Sequence, residues 1–297
     1  EGFGIAMQPE FLRQGSAIYD TLDPDRVVIG EYDMRSGDML DFLYKDFYEN
    51  KNVPILRMNV ASAEMVKYAS NAFLAAKISF MNEMATLCER IKGLDISKVA
   101  EGMGLDKRIG GHFLRAGVGY RGSCFPKDVS ALIAFSKQLG YEPEILSAIT
   151  NVNKKQAAHA VELVKREIGN LAGKKIAMLG LSFKPGTDDL REAPSLKIIN
   201  SLVSEGANVV AYDPVATENA RRILGDKIRY ATSAKQCLKD ADCCVLVTEW
   251  DEFKKLSPED FVGAMKRALL IDGRRIYDPV SFGEKLRYVG IGRPREG

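Results

Sequence analysis

Lys175-Ile176-Ala177-Met178-Leu179-Gly180-Leu181, running into Ser182-Phe183-Lys184-Pro185-Gly186-Thr187-Asp188-Asp189-Leu190-Arg191, decides how this chain folds. An unbroken apolar run of strand length, closed by a glycine and a polar loop, reads as a strand buried on both faces. Downstream the pattern recurs: Pro194 to Glu205 has helical spacing and Ala207 to Pro214 is a second strand. Helices at 217–225, 234–241 and 257–268 then alternate with strands at 227–232, 243–248 and 269–272. Such alternation predicts a doubly wound α/β domain whose ligand loops stand at the carboxyl ends of parallel strands. Residues 182–191 form the first of these loops. Their cations and backbone N–H groups, near a helix start, suit a diphosphate, although the Gly-x-Gly-x-x-Gly turn is lacking. Asp213 stands where a ribose-binding acid often stands, and equally where an Asp-Pro turn needs one.

Gly169 to Gly173 marks a boundary, because upstream the pattern is helical. From Ala61 to Lys92 there is neither proline nor glycine, and Met65, Tyr68, Ala72, Phe73, Ala76, Phe80, Met84, Leu87 and Ile91 recur at three- and four-residue steps. This predicts a single helix of about 48 Å at 1.5 Å per residue. One small domain cannot cover such a helix, so it spans between domains or packs on a partner subunit. Lys67 and Asn71 share one of its faces, though a pair at that spacing is more often solvated surface. Asp95 to Gly104 and Glu144 to Ile168 are further helices.

Between them, Gly119-Tyr120-Arg121-Gly122-Ser123-Cys124-Phe125-Pro126-Lys127-Asp128 crowds a thiol, an ammonium and a carboxylate beside glycines. Pro126 suits the first turn of a helix continuing through Phe135, which puts Cys124 just ahead of a helix N-terminus. The helix dipole and Lys127 both favour thiolate there. An isolated cysteine is more often structural, but polar neighbours and flanking glycines turn the reading towards a site. Gly117-Val118-Gly119-Tyr120-Arg121-Gly122 also matches Gly-x-Gly-x-x-Gly, and is rejected as a dinucleotide turn because no strand precedes it and the helix starts only at Pro126.

The N-terminal part reads as a strand over residues 1–7, a polar loop from Gln8 to Ala17, a strand from Arg26 to Gly30, a helix capped by Ser36 and reaching Tyr48, and an extended segment from Val53 to Met58. That is the tail of an α/β domain whose opening is expected to be absent. The whole chain has 297 residues, 46% hydrophobic and 28% charged, with a net charge of +2, an ordinary soluble composition that argues against a large nucleic-acid surface. Five cysteines with no framework spacing imply a reducing, cytoplasmic compartment. Two histidines and no Cys-x-x-Cys pair make a metal site improbable, and no apolar run reaches membrane-spanning length. Cys88, Cys237, Cys243 and Cys244 sit in apolar patterns and are expected to be inert packing.

Taken together, Pro9-Glu10-Phe11-Leu12-Arg13, Lys67 with Asn71, Gly122-Ser123-Cys124-Phe125-Pro126-Lys127-Asp128 and Phe183-Lys184-Pro185-Gly186-Thr187-Asp188-Asp189, in that order and spacing, resemble the UDP-glucose/GDP-mannose dehydrogenase family. These nucleotide-sugar dehydrogenases oxidise a sugar C6 alcohol to the acid with NAD. The resemblance covers essentially the whole chain and favours the UDP-glucose branch. It implies a remnant of an N-terminal Rossmann-like cofactor domain (1–60), a central helical dimerisation and catalytic region (61–169) and a C-terminal UDP-sugar-binding α/β domain (170–297). Cys124 would attack the aldehyde, pass through a thiohemiacetal and then a thioester, and release UDP-glucuronate on hydrolysis. Lys67 and Asn71 would stabilise charge on the C6 oxygen, Asp128 would position water or shuttle protons, and Glu10 would be the acid/base for hydrolysis. Phe11, Leu12, Arg13, Arg115, Tyr120, Arg121, Phe183, Lys184 and Arg274 match substrate positions. Arg108 matches an arginine that reaches the neighbouring site of a homodimer formed through the central helix. Gln14, Lys127 and Arg191 fall at cofactor positions.

The chain departs from the family pattern in three ways. Gln14 stands where the family usually has Glu, Arg121 replaces a glycine, and most of the N-terminal cofactor domain is expected to be lacking. GDP-mannose remains an alternative substrate, and binding without catalysis an alternative role. Asp106-Lys107-Arg108-Ile109-Gly110 and the Phe183 loop lean towards UDP-glucose.

Overall fold

The computed structural model describes residues 3–294, so Glu1 and Gly2 of the expected first strand lie outside the described residues. The chain divides into two compact units, Glu1–Phe73 and Leu74–Gly297.

In the first unit, β1 (Ala6–Met7) pairs antiparallel with β2 (Val27–Glu31), which pairs parallel with β3 (Ile55–Asn59). α1 (Ala17–Leu22) starts at the last residue of the expected polar loop and fills a stretch for which the sequence pattern indicates no element. It is too short for apolar periodicity to register; Arg13 fastens its start by pairing with Asp20. α2 (Met34–Phe47) makes the parallel crossover. Asp33, not Ser36, caps it: the Asp33 carboxylate accepts from the Ser36 N–H at 2.8 Å and from its hydroxyl. Val27, Ile29 and Tyr48 are the buried core, with Leu40, Tyr44 and Val53 against them.

α3 (Val60–Cys88) carries the chain from the first unit into the second. It stops short of Lys92: the N–H groups of Arg90 and Ile91 bond three residues back rather than four, while the Glu89 carboxylate meets His159 and the N–H of Gly292. α4 (Ile96–Gly104) is capped by Asp95, and α5 (Phe125–Gln138) and α6 (Glu144–Ile168) follow.

The second unit then builds β4 (Lys175–Leu179), α7 (Pro194–Ser204), β5 (Asn208–Tyr212), α8 (Thr217–Leu224), β6 (Arg229–Tyr230), α9 (Ala234–Leu238), β7 (Cys243–Leu246), α10 (Asp251–Lys254), α11 (Pro258–Ala264), β8 (Leu269–Asp272), α12 (Pro279–Gly283) and β9 (Arg287–Gly290). All six strands are parallel in the order β6-β5-β4-β7-β8-β9. The fold is therefore α/β with a doubly wound parallel sheet, and its strand order reverses between β4 and β7, where such sheets open a ligand crevice at their carboxyl ends. Side chains alternate across the sheet: Ile176, Met178, Val245 and Ile271 meet α6 and α7 through Leu163, Val164, Ile198 and Leu202, whereas Leu179, Cys244, Leu246 and Leu270 meet Phe253, Phe261 and Phe282. β9 had no counterpart in the sequence pattern. No helix among the described residues is long and apolar enough to cross a membrane, and no group of three or more His, Cys, Asp or Glu side chains could hold a metal ion.

Candidate active site

Cys124 occupies the N-cap position of α5, with Pro126 in the first turn. It is exposed, while Cys88, Cys237, Cys243 and Cys244 are buried. Burial pushes the Cys237 thiol up to about 12 and those of Cys243 and Cys244 well above the ordinary range, so their sulfurs stay protonated packing atoms. The Asp128 N–H closes the first turn on the Cys124 carbonyl at 2.8 Å, and the Ser123 hydroxyl oxygen lies 3.7 Å from the sulfur. Asp128 is buried and pairs with Lys127 at 2.5 Å.

The preceding loop is clamped from α6 and α3. Asn153 accepts from the Tyr120 N–H at 2.7 Å and donates to the Tyr120 carbonyl at 3.1 Å, while Asn82 accepts from the Gly117 N–H at 2.8 Å. The buried ring of Tyr120 meets Phe125 edge-on. Gly122 has φ +85°, and a Cβ there would lie 2.8 Å from the Phe183 ring, so glycine lets the cysteine loop rest on the loop after β4.

That second loop begins at the carboxyl edge of the sheet. Phe183 is half-buried, with the Lys184 ammonium 5.6 Å from its ring centre. Behind it, the Asp213 carboxylate accepts from the N–H groups of Leu181, Ser182, Val215 and Ala216 and from the Trp250 indole. These bonds resolve the choice left open above in favour of a structural acid that fixes the loops after β4 and β5. Asp272 does the same after β8, accepting from the N–H groups of Arg274, Arg275, Ile276 and Tyr277 and from the Tyr288 hydroxyl. Burial raises its carboxyl to about 6 against those donors. Arg274 is thereby presented from a fixed turn, and it meets Glu249, which also takes Arg121 at 3.0 Å. Arg191 is held by Asp189 at 2.7 Å. A cavity of about 860 Å³ beside the cysteine loop is lined by Ser123, Lys127, Asn153, Lys154, Arg191 and Lys197 among others. Arg115 is exposed, and Arg108 is exposed and paired with Asp106 at 2.6 Å.

The first unit gathers its own candidates. Lys67 donates to the Glu10 carbonyl and lies 3.6 Å from the Glu10 carboxylate and 5.7 Å from the centre of the Phe11 ring, which also carries Arg26 at 4.1 Å. Arg13 is engaged by Asp20 through its guanidinium and backbone N–H, and this pairing holds the Asp20 carboxyl far below the usual carboxylate range. Leu12 and Gln14 are exposed, while Asn71, on the same face of α3 as Lys67, is half-buried.

Three family models match along the chain: the central domain of the UDP-glucose/GDP-mannose dehydrogenase family over 61–155, its UDP binding domain over 177–279 and its NAD binding domain over 1–48. A UDP-glucose 6-dehydrogenase of Rickettsia conorii is 41% identical over 98% of this chain and 67% of the relative. The chain belongs to the UDP-glucose/GDP-mannose dehydrogenase family. Within that family, the UDP-glucose 6-dehydrogenase TuaD of Bacillus subtilis is 43% identical over 98% of this chain and 62% of its own length. A solved UDP-glucose dehydrogenase from the archaeon Pyrobaculum islandicum superposes with a TM-score of 0.88 at 40% identity, over 98% of this chain and 64% of that one. The chain thus spans about two thirds of the length of the relatives it matches. The expectation that it lacks most of the family's N-terminal cofactor domain is not borne out, since the NAD binding domain model matches residues 1–48.

Sequence reasoning passed over Asn82, Asn153, Glu249 and Asp272. Asn153 lies in a helical run where an amide reads as solvated surface, and Glu249 follows a buried strand; only the fold shows what each one touches.

Proposed function

We propose that this chain is an NAD-dependent UDP-glucose 6-dehydrogenase, which oxidises UDP-glucose to UDP-glucuronate. The observation that carries the reading is Cys124. Alone among the cysteines it is exposed, at the start of α5, on a loop that rests against Phe183 at the carboxyl edge of the parallel sheet. NAD, when bound, accepts a hydride in each of the two oxidations. The cation-lined cavity beside the cysteine loop fits the diphosphate of such a dinucleotide, with Lys127 and Arg191 as the residues that would hold it. The Cys124 sulfur adds to the C6 aldehyde. Loss of hydride from the thiohemiacetal gives a thioester; water then cleaves the carbon–sulfur bond, releasing carboxylate and returning the thiol. Asp128, buried beside Lys127, is placed to move a proton in that last step.

Lys67, Asn71 and Glu10, as charge-stabilising and proton-transfer groups, belong to the same proposal through the family resemblance, as do the substrate positions Phe11, Leu12, Arg13 and Arg115. A homodimer through the central helix is part of it too, with Arg108 reaching the neighbouring site. Exposed Phe73, Phe80 and Leu87 recur along α3 at seven-residue spacing, an apolar stripe a second copy would cover. The three-part division at about residues 60 and 169 and a cytoplasmic location complete the proposal.

The test is turnover by the purified protein. Two NADH per UDP-glucose are expected, with no product from GDP-mannose and no turnover in Cys124→Ser. Full activity in that variant would sink the assignment.

A further inference from the structure

Two guanidiniums share one carboxylate at the carboxyl edge of the second unit's sheet. Arg121 donates through Nη2 to Glu249 Oε2 at 3.0 Å. Arg274 Nε lies 3.4 Å from Glu249 Oε2 and gives its hydrogen bond to the Val247 carbonyl at 2.7 Å. The side chains of Arg121 and Arg274 are only 7% and 12% exposed, and among the described residues Arg121 Nε and Arg274 Nη2 are buried with no hydrogen-bond partner. Two cations against one anion leave a positive charge uncompensated where water screens poorly, and burial weakens the hold of Arg121 on its proton. An arginine and a carboxylate left to themselves form a two-bonded fork. Here Arg121 holds Oε2 by one bond and the Val247 carbonyl receives the Nε of Arg274, so Arg274, on a backbone pinned by Asp272, keeps its Nη2 without a partner.

We propose that Arg121 is a positioning residue: by holding Glu249 it keeps Arg274 free to bind a phosphate of a nucleoside-diphosphate ligand. This rests on the nucleotide-sugar reading above and gives Arg121, expected from the family resemblance at a substrate position, a role that reaches the ligand only through two other residues. Glu249 follows β7 at the point where the strand order reverses, and the Thr248 hydroxyl before it donates to the Ser182 carbonyl at 2.6 Å, next to Phe183, so a diphosphate bound at this edge of the sheet would supply the missing anion.

Trp250 is the chain's single tryptophan and adjoins Glu249, so its fluorescence can follow titrations with UDP and with uridine. In Arg121→Gly, UDP affinity should fall by about tenfold or more, the loss expected for one hydrogen bond to a charged group, while uridine affinity stays put. Adding Glu249→Gln to Arg121→Gly should restore most of the UDP affinity, because the carboxylate that captures Arg274 is gone. A merely structural role for Arg121 would weaken both ligands and would not be rescued. Unchanged UDP binding in Arg121→Gly, or a loss that Glu249→Gln does not relieve, overturns the coupling. Wild-type protein that binds neither ligand overturns the nucleotide-sugar reading and the coupling with it.

Discussion

Gly119→Ala probes the clamp that holds the cysteine loop. Gly119 has φ +93°, and a Cβ there would stand 2.6 Å from Asn153 Oδ1 and 3.3 Å from Gln156 Cβ. The left-handed conformation costs a non-glycine residue about 1–2 kcal/mol. Displacing Asn153 also breaks its bonds to the N–H and carbonyl of Tyr120, at 2.7 and 3.1 Å. Each such bond is worth about 0.5–1.5 kcal/mol, so the substitution should destabilise the second unit by about 2–5 kcal/mol in all. Gly110→Ala is the control: φ is +68° but nothing lies within 4 Å of the added carbon. It should cost only the conformational part, about 1–2 kcal/mol. Urea unfolding followed by the fluorescence of Trp250, within the same unit, measures both. Asn153→Ala combined with Gly119→Ala should be less than additive, because the hydrogen bonds can be lost only once. If Gly119→Ala proves no more costly than Gly110→Ala, the clamp does not hold the loop and the reasoning is wrong.

Two further outcomes are expected. Iodoacetamide applied to the native protein should give one adduct, at Cys124, because the other thiols are buried; rapid labelling of Cys237 or Cys244 without unfolding would contradict the packing described. The hydrogen bond to Glu89 raises the His159 pKa above its ordinary 6.5, with Glu162 adding to the effect and burial opposing it. A raised histidine contributes its stability in full below pH 6.5 and loses it as pH rises through the higher folded value. The melting temperature of His159→Gln should therefore lie furthest below wild type at about pH 6 and draw closer towards about pH 9; a gap that stays constant would show that protonation of His159 plays no part.

The second unit's architecture was open to reading from the chain because its signals are local. Apolar runs such as Lys175–Leu179 and Cys243–Leu246, separated by helical spacing, carry their own period whatever surrounds them. The same holds for Cys124 ahead of Pro126, since helix starts are set within a few residues. An element held by a distant partner escaped, as β9 did with its place beside β8, and α1 escaped because its 6 residues are too few to show a period.

Side-chain roles divide in the same way. The sequence by itself determined which residues bring a thiol, ammonium groups and carboxylates to the loops, because those identities and spacings are written in the chain. Only the tertiary structure decided what each of them meets. It turned Asp213 from a ribose candidate into a structural acid, joined Arg121 to Arg274 through Glu249, and set Asn153 under Tyr120. Hydrogen bonds and ion pairs act over a few ångströms, and which residues come that close is fixed by the packing of strands and helices far apart in the chain.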